Sequence, residues 1–227
     1  PSPLIERAIT MPIFQSSTYE IGADSLGEIN YHDIRYVRLN NTPNHLALHA
    51  KIAQLEQAES AVVTSSGMSA ITSALLGLVA KGEHVLAQDN LYGGTFHFLK
   101  EFFPQMGREV TFFPADDTAN LAQYSKGNTR AIYVESTSNP LLKIPDLKEV
   151  VRFAKQQGLL SMIDNTFPSP ANFNPIPFGF DVALHSATKY LNGHSDVVAG
   201  AIVSSKAILQ KLMPLFSLYK NCNLHVK

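Results

Sequence analysis

Cysteine is almost missing from this chain: one residue, Cys222, in 227. A single thiol excludes an internal disulfide framework and suits a reducing cytosol, so a cytoplasmic location is expected. Charge is sparse and balanced, 16% of residues with a net of −1. That removes the electrostatic case for a nucleic-acid partner or an anionic membrane surface. Long apolar runs are lacking too, and none approaches the ~20 residues of a membrane span. No basic segment followed by an apolar core reads as a secretory signal. Internal repeats and low-complexity tracts are absent. What remains is a globular composition, 45% hydrophobic, in a chain long enough for one sizeable core.

Residues 1–45 carry scattered apolar residues and several prolines without a sustained period. They read as an extended arm, the kind that lies on another surface and often on a neighbouring subunit. Within it Tyr36 and Arg38 stand two apart, on one side of an extended segment. Arginine suits phosphate, although a plain surface pair fits the same two residues. Leu46, Leu48, Ile52 and Leu55 then predict a helix over 44–56.

Residues 46–215 read as one domain in which strands and helices alternate. The apolar runs predict strands at 61–64, 84–88, 110–113, 130–135, 159–163, 182–184 and 199–203. Helical spacing falls at 70–79, 96–103, 121–124 and 146–157, the last closed by Gly158. This pattern predicts an α/β fold, a mostly parallel seven-stranded sheet with helices on both faces. Residues 216–227 read as the start of a linker or an atypical tail.

Polar residues gather just past the strand ends, where ligands collect in such sheets. Ser65-Ser66-Gly67-Met68 turns a strand into a helix, and free N–H groups there suit a phosphate. The same residues also make an ordinary helix entry. Tyr92, Asn139, Asp164, Ser186, Thr188 and Lys189 occupy the other strand ends. Singly, Asp164 fits a helix cap and Tyr92-Gly93-Gly94 a common turn. Lys189, if partly desolvated, would lose its proton readily, as imine-forming lysines must. One ligand accounts for the whole set: pyridoxal 5'-phosphate. It needs an amine for its aldehyde, a carboxylate for its ring nitrogen, donors for its phosphate and a flat side chain on its ring. No metal site is expected.

Six stretches, in order along the chain, carry a specific resemblance. They are Tyr36-Val-Arg38, Ser65-Ser-Gly-Met-Ser-Ala-Ile71, Asp89-Asn-Leu-Tyr-Gly-Gly-Thr95, Glu135-Ser-Thr-Ser-Asn-Pro140, Ile163-Asp-Asn-Thr-Phe167 and His185-Ser-Ala-Thr-Lys-Tyr-Leu-Asn-Gly-His-Ser-Asp196. Together they resemble the trans-sulfuration (Cys/Met metabolism) family of fold-type I pyridoxal-phosphate enzymes, which includes cystathionine β- and γ-lyases. The resemblance implies that Lys189 forms the imine with the cofactor and moves protons, while Asp164 pairs with the ring nitrogen. Tyr92 would stack on the ring and assist catalysis, and Asn139 would lie near the ring hydroxyl. Gly67, Met68, Ser186 and Thr188 would hold the phosphate. Tyr36 and Arg38 would reach a neighbour's phosphate, implying a homodimer or homotetramer with shared active sites. The implied activity is a carbon–sulfur lyase on a sulfur amino acid such as cystathionine. A γ-replacement synthase or sulfhydrylase on activated homoserine stays open, as does a truncated cofactor-binding protein without turnover. The family's smaller C-terminal domain, with the arginine that grips the substrate carboxylate, is expected to be missing.

Overall fold

Asn44 ties the N-terminal arm to the first helix. It sits in the opening turn of α1 (Pro43–Leu55), accepts from the Phe14 N–H and donates to Pro12 O, both at 2.8 Å. The structure is a computed structural model that describes residues 7–21 and 34–218. Expectations for 1–6, 22–33 and 219–227, Cys222 among them, lie outside the described residues. Thr18 bridges Tyr36 in antiparallel fashion. The Tyr-x-Arg segment differs from the extended reading: Val37–Leu39 is a 3-10 turn. The cause is local. Asn40 adopts φ 58°, a left-handed conformation that asparagine tolerates, and Asn41 accepts from Tyr36 N–H while donating to Ile34 O.

The alternation then follows as β1 (Ser60–Thr64), α2 (Gly67–Leu78), β2 (His84–Gln88), α3 (Gly93–His97), α4 (Phe103–Gln105) and β3 (Glu109–Phe113). Next come α5 (Leu121–Tyr124), β4 (Thr129–Glu135), α6 (Leu147–Gln157), β5 (Leu160–Asp164), α7 (Ser169–Asn172) and α8 (Pro175–Phe178). The described chain closes with β6 (Val182–His185), β7 (Gly200–Ser204) and α9 (Lys206–Leu218). The expected helix over 96–103 is instead α3, a π-helical turn at Phe98–Phe102, and α4.

Caps set the helix boundaries. α2 starts three residues before its apolar run because Ser66 Oγ accepts from Ser69 N–H at 3.0 Å. Asp146 likewise caps α6, accepting from Lys148 and Glu149 N–H, and Gly158 at φ 65° stops it.

The described strands form one seven-stranded sheet in the order β1-β7-β6-β5-β4-β2-β3. β2, β3, β4, β5 and β6 run parallel to one another, while β7 runs antiparallel to both β1 and β6. Helices cover both faces. Ile52 of α1 and Val150, Phe153 and Ala154 of α6 join one apolar core, and Ala70, Leu75, Leu99 and Leu209 join the other. Because both faces are covered, the central strands are buried throughout: β2, β6 and β7 have no exposed residue. The site forms where β4, β5 and β6 end on the polar residues Glu135, Asp164 and His185.

Candidate functional site

A cavity of about 740 Å³ opens at the carboxyl ends of β4, β5 and β6, beside the start of α2. Its lining includes Gly67, Met68, Tyr92, Asn139, Asp164, Ser186, Thr188 and Lys189. Eight of the ten residues singled out in the sequence thus meet at one place. Tyr36 and Arg38 do not line it; the Arg38 guanidinium instead lies 5.1 Å from the Tyr36 ring centre.

The start of α2 is built for an anion. Ser69 N–H is used by Ser66 Oγ and Ala70 N–H by Ser66 O. Gly67 and Met68 N–H have no acceptor among the described residues, which leaves two donors at the positive end of a 12-residue helix. Space matters as much as charge here. A Cβ on Gly67 would stand 2.6 Å from Ser186 Cβ, so β6 and α2 can approach only at glycine. The Ser186 hydroxyl has no partner among the described residues. The Thr188 hydroxyl, in contrast, donates to Ala199 O at 3.1 Å and accepts from Ala199 N–H at 3.0 Å. It pins the entry to β7, and a phosphate would compete with Ala199 O for its proton.

Gly200 holds the same region from behind. A Cβ there would fall 2.1 Å from Ser66 O and 2.5 Å from Thr64 Oγ1, both rigidly placed. Gly200→Ala should therefore push the Ser66 turn off its seat and cost about 1–3 kcal/mol of stability. Urea unfolding checks this, with a matching loss of pyridoxal-phosphate affinity as the turn moves.

Asp164 ends β5, buried at 8% exposure. Thr166 donates to its Oδ1 from both N–H (2.9 Å) and hydroxyl (2.5 Å). Oδ2 has no hydrogen bond among the described residues. Burial pushes the Asp164 carboxyl up, while the Thr166 bonds and the nearby His185 charge pull it down. Such a carboxylate, satisfied on one side and lining a cavity, fits a cationic ring N–H.

Glu135 is the site residue that sequence reasoning quoted in a motif without giving it a role. It ends β4, in register with Asp164 of β5. Its Oε1 accepts from Tyr92 N–H at 2.6 Å and its Oε2 from Asn139 N–H at 3.4 Å, so one carboxyl clamps two cavity loops. Burial first, and then the Asp164 charge, push it up to about 8. The available signal was an acidic residue closing the apolar run Ala131–Val134. The Tyr92 ring lies against Gly94, where a Cβ would meet its Cε1 at 2.7 Å, so the Gly93-Gly94 pair gives the ring its resting place.

Lys189 differs from the expectation of partial desolvation: it is exposed. It stands in the turn after β6, with its N–H on Ser186 O and its carbonyl accepting from Gly193 N–H. This turn carries both Lys189 and Tyr190 away from the sheet. Nζ makes no ion pair or hydrogen bond among the described residues. Amine, buried carboxylate, open helix start and aromatic ring together fit pyridoxal phosphate.

The profile of the Cys/Met metabolism PLP-dependent enzyme family matches residues 3–218. The chain is 42% identical over 209 residues to the cystathionine beta-lyase MetC of Bacillus subtilis (strain 168), covering 92% of this chain and 52% of that protein. It is 40% identical to a probable cystathionine gamma-synthase of Herpetosiphon aurantiacus over 88% of this chain and 61% of the other. Among solved structures, cystathionine gamma-lyase from Lactobacillus plantarum complexed with L-serine superposes with a TM-score of 0.87 at 33% identity. That match covers 96% of this chain and 55% of the other. The chain thus spans between about half and three fifths of the length of these relatives.

Proposed function

Because the chain belongs to the Cys/Met metabolism PLP-dependent enzyme family, we propose that it is the cofactor-binding part of a carbon–sulfur lyase acting on a sulfur amino acid such as cystathionine. The observation that carries this reading is the convergence of Lys189, Asp164, Tyr92 and the start of α2 on one cavity. Bound there, pyridoxal phosphate supplies the electron sink that weakens bonds at a substrate α-carbon. Lys189 would hold the cofactor at its aldehyde through Nζ and would move protons at that atom during turnover. Asp164 accepts the ring N–H on the oxygen that Thr166 leaves open. Tyr92 orients the ring from one face and assists departure of the sulfur group. Gly67 and Met68 N–H, with the Ser186 and Thr188 hydroxyls, bind the phosphate, and Asn139 sits by the ring hydroxyl. Tyr36 and Arg38, away from their own cavity, reach the phosphate held by a second copy, which makes the working unit a dimer or a pair of dimers. Residues 1–45 are the arm that does this and 46–215 the cofactor domain. Among the described residues no helix is long and apolar enough to cross a membrane; a cytoplasmic site of action is part of the proposal.

A second reading has its own support in the 40% identity to a probable cystathionine gamma-synthase: exchange of the γ-substituent of an activated homoserine. The same cavity serves both chemistries, so products decide. The purified chain, loaded with pyridoxal phosphate and given cystathionine, is expected to release a keto acid, ammonia and a thiol amino acid. Pyruvate with homocysteine assigns β-cleavage, and 2-oxobutyrate with cysteine assigns γ-cleavage. No keto acid, with acylhomoserine and a thiol consumed instead, replaces the lyase by the synthase. A yellow, loaded protein that turns over neither substrate would reduce the chain to a cofactor binder.

A further inference from the structure

Behind the cavity floor lies a polar cluster that the proposed chemistry leaves unused. Glu56, just past α1, places Oε1 2.6 Å from His185 Nε2. The two side chains are 0% and 1% exposed and stand 129 residues apart in sequence. Asn165 completes the group: Nδ2 donates to Phe173 O at 2.8 Å and reaches Glu56 Oε1 at 3.4 Å. Three of its atoms are buried without hydrogen-bond partners among the described residues, namely Glu56 Oε2, His185 Nδ1 and Asn165 Oδ1. An ionised carboxylate beside a neutral imidazole would leave a net charge in this dry interior. One further proton shared along the 2.6 Å bond makes the pair neutral overall.

His185 adjoins the cavity from behind. Leu184, the residue before it, pairs with Asp164 of β5 and accepts from Asn165 N–H, and the residue after it is Ser186 of the cavity lining. The groups facing His185 are Glu56 from α1, Asp164 from β5 and the Asn165 amide. Asp164 is faced in turn by His185 from β6 and by Glu135 and Tyr133 from β4. Among these, His185 is the group able to carry positive charge.

We propose that Glu56 and His185 form a buried proton-sharing pair whose imidazolium, held by Glu56, keeps Asp164 ionised from behind the cavity floor. They are positioning residues: neither lines the cavity, and they act through Asp164. Asp164 must be ionised to accept from a cationic ring nitrogen. Burial opposes that ionisation, and Thr166 alone answers on the cavity side. The relevance to catalysis rests on the functional reading above; the proton-holding role itself does not.

The test uses the 227-residue chain without cofactor, labelled with ¹⁵N and ¹³C. Ring-nitrogen shifts of His185 and the carboxyl carbon shift of Asp164 are followed against pH in the native chain, Glu56→Gln and His185→Gln. The native ring is expected to be protonated on both nitrogens at neutral pH and to lose one proton in Glu56→Gln. The Asp164 midpoint should rise by about one pH unit in both variants, a tenfold change in proton affinity. A native ring with one bare nitrogen at neutral pH overturns the proposal, as does an Asp164 midpoint that moves in neither variant. If the variants fail to fold, the native ring shift decides alone. Failure of the chain to bind pyridoxal phosphate would sink the functional reading while leaving these proton states intact, so the two failures are distinguishable.

Discussion

Lys189→Ala is expected to abolish the adduct that borohydride fixes between the chain and pyridoxal phosphate, and to cut any turnover at least about a thousandfold. The geometry makes this a clean experiment. Nζ has no hydrogen bond or ion pair among the described residues, and Lys189 is exposed in a turn held by backbone bonds. Truncation should therefore leave stability within about 0.5 kcal/mol of the native chain. Peptide mapping of the reduced protein should find the pyridoxyl group on Lys189 in the native chain and nowhere in the variant. The noncovalent part of binding should survive, because the start of α2, Ser186 and Asp164 are untouched. An adduct of equal yield on another lysine would remove the central residue from the site.

How far the sequence could go depends on the range of the interaction. The parallel strands announce themselves because both faces are covered and their apolar runs are unbroken, as in Ala131–Val134. Their ends are equally legible: a run must stop where polar side chains meet a cavity. The start of α2 is less legible, because Ser66 caps it from outside the periodic stretch. α7 and α8 are illegible because each is four residues long and carries proline in its first two positions, which reads as loop. The antiparallel course of β7 has a faint signal. Residues 186–199 contain no helix, and parallel neighbours require a long crossover, usually helical.

The same limit governs the site. Lys189, Asp164, Ser186 and Thr188 sit on successive strand ends, so local pattern alone brings them together. Glu56 and His185 cannot be paired that way, since the contact exists only once α1 has packed on β1 and β7 and its end reaches His185 of β6. Gly200 is likewise invisible as a site residue, because its role is the space it leaves for Ser66 O on another strand's exit. Its register partner, Thr64, is fixed by sheet order, which the one-dimensional pattern does not encode.

Glu135 also makes the stability of the unliganded chain depend on pH in an unusual direction. Its carboxyl is pushed up to about 8 from an ordinary 4.5, chiefly by burial and then by the Asp164 charge. Between those values the folded chain holds a proton that the unfolded chain has released, so stability falls as pH rises. From pH 6.5 to 8 the loss should be about 2 kcal/mol, at about 1.4 kcal/mol per unit. His49 works the opposite way. Its buried Nε2 has no hydrogen-bond partner among the described residues, and burial pushes the ring down from 6.5 to about 3. The unfolded chain therefore takes up a proton below 6.5 that the folded chain refuses, and stability falls with falling pH over that window. Between about 4.5 and 6.5 the two slopes oppose each other, with His84, also held down by burial, adding to the His49 side. Urea midpoints are thus expected to peak on the mildly acidic side and to decline toward pH 8. Glu135→Gln should flatten the alkaline decline, because the amide keeps one acceptor for the loops at Tyr92 and Asn139 but has no proton to lose. If native chain and variant decline in parallel from pH 6.5 to 8, the clamp is an ionised carboxylate throughout, and Asp164 does not share its pocket with a protonated neighbour.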